Sequence, residues 1–179
     1  MADLFGEVSN GFLFKTIADN WGLKYHSDFE AEAGITTFRI PFGEGAGPDF
    51  TLFVFVHELE SLLRIYGMSF QEESKVDRAL SLINCLNTGY LLDSSLDLFE
   101  NRFRLKFNFR WNTVGLPGRE AGNSVKQSAV ATAGLFPLMA KVMNLGGDVV
   151  SDFTAVLDEQ RKSGGSPDEG FESSQGLSL

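Results

Sequence analysis

The spacing of hydrophobic residues predicts one helix followed by several strands in the first half of the chain. From Leu4 to Trp21, apolar residues recur every three or four positions, as on one face of an amphipathic helix. This spacing is then lost, and the chain either alternates apolar and polar residues or becomes continuously apolar, as strands do. We therefore predict extended segments at residues 23–30, 34–42, 50–59 and 62–68.

Helical spacing returns in the middle of the chain. Residues 69–90 predict a second helix, because their apolar residues again recur every three or four positions. We expect its buried face to consist of Val76, Ala79, Leu80, Ile83 and Leu86.

A hairpin is predicted after this helix. Residues 90–99 and 102–111 both alternate apolar and polar positions, as two half-buried strands do. Between them lie Glu100 and Asn101, and asparagine tolerates the positive φ that a tight hairpin turn requires. The two segments should therefore pair directly with each other.

The last third of the chain predicts helices. Beyond the loop 115–122, helical spacing starts near Ser124 and continues past Pro137, which should bend the helix because proline removes a hydrogen bond. Residues 149–160 form a shorter amphipathic segment. The buried face of the longer helix should include Val125, Ala129, Thr132, Phe136, Met139 and Met143.

The order of these elements predicts an α+β fold, with an antiparallel sheet packed by helices in the order α-β-β-β(-β)-α-β-β-α. We assign residues 1–160 to a single domain. Residues 161–179 are mostly small, polar or acidic and have too little apolar surface to offset the entropy of ordering. We expect this C-terminal tail to be disordered.

The run RFRLKFNFRW, residues 102–111, is the most regular pattern in the chain. Its aromatic and leucine side chains should face the core, while basic and polar side chains face outward. Two interpretations stay open. The cations either lie in solvent and pair with Asp93, Asp97 or Glu100, or they bind an acidic partner segment or the acidic tail. The candidate partner-binding residues are Arg102, Arg104, Lys106 and Arg110.

The formal net charge of −9 makes these cations unusual and narrows the possible partners. Nucleic acids and anionic membranes would both repel such a chain at long range. No segment has the roughly 20 consecutive apolar residues of a membrane-spanning helix. The N-terminus does not read as a signal peptide, and Cys85 is the single cysteine, so we expect a cytoplasmic protein.

The sequence shows no recognisable catalytic, cofactor or metal site. The motif HELE at 57–60 lacks the second histidine of a zinc-binding helix, and we interpret His57 as an exposed residue at a strand end. The glycine-rich loop 43–48 leads into a strand, whereas a phosphate loop leads into a helix. Cys85 lies among apolar residues, as an inert thiol does. We therefore expect no enzyme activity and no cofactor.

Four stretches resemble the YbjN-like proteins and, more distantly, the class I type III secretion chaperones that share their fold. These are NWGLKY at 20–25, ALSLINCLNTGY at 79–90, LDSSLDLFENRFRLKFNF at 92–109 and AVATAGLFPLMAKVM at 129–143. The resemblance covers residues 5–157. That family typically has three extended segments before the middle helix, and this chain shows four, so either two of them merge or the chain is a variant.

The resemblance implies a cytoplasmic, frequently homodimeric protein without enzyme activity. Members of the chaperone branch bind an extended segment of a client protein, using apolar grooves and edge strands. We therefore expect a protein-binding module that acts as a chaperone-like or regulatory adaptor. The alternative is a small-ligand-binding domain or enzyme that uses an aromatic-lined cavity between sheet and helices, near Trp21, Tyr25 or Trp111.

Overall fold

Four helices and six antiparallel strands make up the part of the chain that the computed structural model describes, residues 9–43, 50–69 and 73–162. The predicted α+β class, with an antiparallel sheet packed by helices, is confirmed. The elements are α1 (Asn10–Asn20), β1 (His26–Glu30), β2 (Ile35–Phe42), β3 (Phe50–His57), β4 (Leu62–Ser69), α2 (Val76–Gly89), β5 (Ser94–Phe99), β6 (Arg102–Arg110), α3 (Gly118–Asn144) and α4 (Val149–Lys162).

The six strands form one sheet in the order β1-β2-β3-β4-β6-β5, and every neighbouring pair is antiparallel. The described helices cover one face of this sheet, which we call the inner face. Alternate residues of β3 and β4 point into the core there and are almost completely buried. They are Phe50, Leu52, Val54 and Val56 on β3, and Leu63 and Ile65 on β4.

The extended segments at 23–30 and 34–42 are separate strands, as are the next two. Four strands therefore precede α2, and none of them merges with its neighbour. The predicted hairpin is also present, since β5 pairs with β6. Glu100 and Asn101 turn the chain with φ values of 50° and 59°, as the tight turn required.

The starts of α1, α2 and α3 differ from the sequence prediction. α1 begins at Asn10 with Ser9 as its N-cap, and the predicted residues 1–8 lie outside the described part of the chain. α2 begins at Val76, and Ser69 still belongs to β4. Helical spacing alone could not reveal that the sheet continues this far.

The buried face of α2 was also partly wrong. Val76 and Leu80 are 39% and 50% exposed, whereas Leu82 is completely buried. Ala79, Ile83 and Leu86 are buried as expected. The buried stripe of α2 must contact both the sheet and α4, so the helix is rotated relative to the prediction. The spacing of apolar residues on α2 does not specify this orientation.

The long helix α3 has the predicted buried face, because all six residues of that stripe are buried. It contains Pro137, as expected, and begins at Gly118, earlier than Ser124. α3 approaches β4 closely at Gly67. A Cβ atom at that position would lie 2.3 Å from Oγ1 of Thr132, a side chain with no exposed surface.

Glu58, in the turn between β3 and β4, holds the start of α1 against the end of the sheet. Its carboxylate accepts hydrogen bonds from the backbone N–H groups of Asn10 (2.7 Å) and Gly11 (2.9 Å). An anion at this position satisfies free N–H groups and suits the positive end of the helix. The first glutamate of the HELE motif therefore anchors a helix.

Arg78 of α2 holds α3 and α4 together. Its guanidinium group donates to the carbonyl of Val142 near the end of α3 (2.8 Å) and to that of Gly147 (2.7 Å). It also forms an ion pair with Asp152 of α4. A cation here satisfies carbonyls that the helix end leaves free.

Replacing Gly67 with alanine should lower the free energy of unfolding by about 1–3 kcal/mol, because the new methyl group has no room beside Thr132. Thr132 cannot easily move, since its hydroxyl donates to the carbonyl of Ser128 (2.7 Å). Urea unfolding monitored by circular dichroism measures the change.

Gly134→Ala provides the matched control in α3, because no atom lies within 4 Å of a Cβ placed there. It should raise the free energy of unfolding by up to about 1 kcal/mol through helix propensity. Equal effects of the two alanine substitutions would show that the close approach of α3 to β4 is not a constraint.

Candidate functional site

The candidate site lies on the face of the sheet opposite the described helices, which we call the outer face. β6 alternates as predicted: Phe103 and Leu105 are 2% and 1% exposed on the inner face. The intervening residues point outward beside residues of β4 and β5. These outward residues are Arg102, Arg104, Lys106, Asn108 and Arg110.

The pairing register places aromatic and cationic side chains in one row across the outer face. Arg39 of β2 is paired with Phe53 of β3, which is paired with Tyr66 of β4, then Lys106 of β6 and Ser95 of β5. The Arg39 guanidinium lies over the Phe53 ring at 5.3 Å, a cation–π contact. This aromatic row does not belong to the hydrophobic core cluster.

Cations outnumber carboxylates on the outer face, although the chain as a whole is acidic. By pairing register, the outward cations of the sheet are Arg39, Arg64, Arg102, Arg104, Lys106 and Arg110, against Asp28, Glu30 and Asp97. Two of these carboxylates lie on the edge strand β1, at the far side of the sheet from β6. The positive charge is therefore concentrated over β4 and β6.

Arg104 is committed to contacts within the protein. Its Nε and Nη2 atoms donate to the two carboxylate oxygens of Asp97, at 2.8 and 2.7 Å. The guanidinium also lies over the rings of Phe99 (4.7 Å) and Tyr66 (5.1 Å). Its side chain is 21% exposed. Arg104 therefore stabilises the hairpin and is poorly placed to reach a partner.

Asp97 also accepts a hydrogen bond from Nζ of Lys106, at 3.1 Å. Partial burial by itself raises the pKa of the Asp97 carboxyl. The hydrogen bonds and charges of Arg104 and Lys106 outweigh this effect and hold the pKa below its ordinary value. Of the three acids that the sequence offered as partners, Asp97 is the one that pairs with these cations.

A groove of about 350 Å³ lies on the outer face over β4 and β6. We call it the cationic groove, because three of its seven lining residues are the cations Arg64, Lys106 and Arg110. The remaining lining residues are Leu62, Tyr66, Ser95 and Asn108. No carboxylate of the described residues lines the cationic groove, so the arrangement suits an anion.

Arg64 and Arg110 are not neutralised by the described part of the protein. No described carboxylate lies within ion-pair distance of either guanidinium group. Their positive charge reaches His57, which is paired with Leu62 at the end of β3. Burial lowers the pKa of His57 most, and the charges of Arg64 and Arg110 lower it further against the opposing charge of Glu60.

The prediction that His57 is exposed was wrong. It does end a strand, but only 6% of its surface is exposed, and its Nε2 atom has no described hydrogen-bond partner. Neighbouring side chains on the outer face cover it, which depends on pairing between distant strands. The alternating pattern of β3 could not show this.

The structure brings together some of the predicted site residues and separates others. Lys106 and Arg110 line the cationic groove, whereas Arg104 is held by Asp97 and Arg102 lies at the beginning of β6. Arg64 was missed. The only signal for it was a single cation within the apolar run LLRIYGM, and nothing local links that run to β6.

The two edges of the sheet differ in how they are protected. At β5, the side-chain amide of Asn87 donates to the carbonyl of Leu96 and accepts from its N–H group, both at 2.8 Å. Asn87 thereby occupies backbone groups that another strand would need. All residues of β1, the opposite edge, are exposed. Addition of a strand is therefore blocked at the middle of β5.

The three rings of the alternative cavity each contact protein atoms. Trp21 lies against Gly122, where an added Cβ would be 2.5 Å from the indole. Tyr25 contacts Phe38 edge-on, with 5.4 Å between ring centroids, and Trp111 stacks on Phe109 at 5.9 Å. The groove described above is on the other side of the sheet, so a ligand cavity near these rings stays a prediction.

Other kinds of site have little to support them within the described residues. Across residues 9–43, 50–69 and 73–162, no group of three or more histidine, cysteine, aspartate or glutamate side chains is arranged to hold a metal ion. Cys85 is a free, half-buried thiol. None of the helices in these ranges has the length and apolar character needed to cross a membrane.

Comparison with known proteins adds no assignment. No family model, curated protein or solved structure matches this chain. The outer face and its groove are therefore the features from which a function can be inferred.

Replacing Arg104 with alanine should lower the free energy of unfolding by about 1–2 kcal/mol. The substitution removes the bidentate ion pair with Asp97 and two cation–π contacts. Arg110→Ala is the matched control on the same strand and should change the free energy of unfolding by less than about 0.5 kcal/mol. Urea unfolding of both variants tests this difference, and similar losses would contradict it.

The Asp97 ion pairs should make stability depend on pH. The folded-state pKa of Asp97 lies below its unfolded value of about 3.9, so its stabilisation is complete above that value and is lost as pH falls through the folded pKa. The difference in free energy of unfolding between the wild type and Asp97→Asn should therefore shrink from about pH 6 to about pH 2. Asp93→Asn, in an exposed loop, should leave the pH profile unchanged, and a pH-independent effect of Asp97→Asn would refute the assignment.

Proposed function

We propose that this protein is a non-enzymatic protein-binding module, a chaperone-like or regulatory adaptor, that holds an extended acidic segment of a partner protein across the outer face. The observation that carries the proposal is a cationic, aromatic sheet face, free of described helices, on a chain of net charge −9. Charge complementarity of this kind speeds association and selects partners.

Aromatic and cationic groups in one row suit an extended peptide. Phe53 and Tyr66 are half-buried rings, each with an arginine guanidinium over it, and Arg39 and Lys106 lie next to them in the row. A peptide that alternates acidic and apolar residues would match this arrangement. Binding across the face, rather than along the β5 edge, also fits the way Asn87 occupies β5.

The resemblance to YbjN-like proteins and type III secretion chaperones agrees with this role and stays part of the proposal, as do the chaperone-like fold and a cytoplasmic location. A homodimer is proposed on the same basis. Its interface should not be two outer faces, because the cations over β4 and β6 would then repel each other. The outer face would stay free for a partner in such a dimer.

Site-specific photo-crosslinking tests the proposal. A photoreactive amino acid replaces Phe53 on the outer face, and the protein is irradiated in lysate of its own organism. We expect adducts at this position whose cross-linked peptides are rich in aspartate and glutamate. Mass spectrometry identifies these peptides and their charge.

Leu80 provides the control position, because it is 50% exposed on α2, on the opposite side of the sheet. The same photoreactive residue there should give few adducts with acidic peptides. Equal yields at both positions, or adducts with basic peptides at Phe53, would count against an acidic partner on the outer face.

A further inference from the structure

The three cations of the cationic groove surround one residue of the outer face, Asn108. Arg64 of β4 is paired directly with Asn108 of β6, and Lys106 and Arg110 lie two residues to either side of Asn108. Side chains in such diagonal positions lie roughly 7–8 Å apart at their base. Three long cationic side chains can therefore reach a single group above Asn108.

The charges in this region are not balanced. Asp97 binds Lys106, but it is shared with Arg104, and no described carboxylate pairs with Arg64 or Arg110. The neutral lining also supplies hydrogen-bond donors, from the amide of Asn108 and the hydroxyl groups of Tyr66 and Ser95. The groove thus offers more positive charge and more donors than one carboxylate can satisfy.

We propose that the cationic groove binds a phosphoryl group carried by a phosphorylated side chain of the partner segment. A phosphate monoester has a charge of about −1.5 to −2 at neutral pH and three strong acceptor oxygens. It can accept hydrogen bonds from two guanidinium groups and one ammonium group at once. This inference rests on the proposed function and adds the chemical class of the partner.

The neighbouring surface favours a peptide over a phospholipid as the carrier of the phosphoryl group. The groove shares Tyr66 and Lys106 with the aromatic row, which can hold the residues next to a phosphorylated one. Leu59, the exposed apolar side chain of the nearby β3–β4 turn, lies between Glu58 and Glu60. The Glu58 carboxylate is bound to the start of α1, but the exposed carboxylate of Glu60 would be repelled by an anionic bilayer.

Degenerate peptide libraries test this without knowledge of the partner. Three libraries differ only in a fixed central residue, which is phosphoserine, serine or glutamate. We expect the phosphoserine library to bind about tenfold more tightly, or better, than either of the others in fluorescence anisotropy. Arg64→Gln/Arg110→Gln should abolish this preference.

Arg39→Gln is the matched control, because Arg39 is a cation of the same face that does not line the groove. This substitution should weaken the binding of all three libraries alike and leave the preference for phosphoserine intact. Thermal unfolding confirms that each variant is folded. Loss of the preference in Arg39→Gln to the same extent as in the double variant would overturn the groove as its source.

The two histidines report where the phosphoryl group binds. His57 lies beside the groove, whereas His26 is on β1 at the far edge of the sheet. In nuclear magnetic resonance titrations, the phosphoserine library should raise the pKa of His57, because it neutralises Arg64 and Arg110, and should move the ring resonances of His57 more than those of His26. An equal response of both histidines would overturn the site.

The remaining outcomes separate this inference from the proposed function. Equal binding of phosphoserine and glutamate libraries would overturn the phosphoryl site and leave acidic-segment binding in place. If inorganic phosphate raises the pKa of His57 as much as the phosphoserine library does, the proposal that a peptide carries the phosphoryl group is overturned. If vesicles of an anionic phospholipid bind more tightly than the phosphoserine library, the peptide carrier is overturned in favour of a membrane.

Discussion

α3 lies against the centre of the sheet at a distance that a glycine on β4 makes possible. Gly67 leaves room for Thr132, and this contact lets the longest helix cover the inner faces of β3 and β4. The remaining described helices join it on the same side, so apolar burial is concentrated in one layer between helices and sheet. The described helices consequently leave the outer face uncovered.

Some cations of the outer face stabilise the fold through ion pairs, whereas others are not paired with a described carboxylate. Asp97 holds Arg104 and Lys106 and stabilises the β5–β6 hairpin, which keeps β6 in register with β4. Within the described ranges, Arg64 and Arg110 have no such partner. Burial lowers the pKa of His57 most, and the charges of these two arginines lower it further. Cations that no described carboxylate neutralises therefore lie beside an aromatic row, and this is the surface on which the proposed acidic segment would bind.

The β5 edge of the sheet is protected by a side chain, whereas the outer face is not covered by the described helices. Asn87 occupies backbone groups of β5, which prevents indiscriminate strand pairing at an edge that would otherwise invite it. At the β5 edge, the proposed partner would then be recognised by side chains, which discriminate between partners better than backbone hydrogen bonds do. The proposed adaptor role and the proposed phosphoryl site both follow from this separation.

Local patterns in the sequence determined much of the architecture. Strict alternation set the two faces of β6, helical spacing identified the buried stripe of α3, and Asn101 marked the hairpin turn, because each depends on neighbours along the chain. The tertiary structure alone decided which strands lie side by side. Pairing of β4 with β6 brings Arg64 to Arg110 and buries His57, while pairing of β5 with β6 joins Arg104 to Asp97. Such contacts join residues far apart in sequence, and their energies depend on register and burial, which no local pattern of hydrophobic and polar residues specifies.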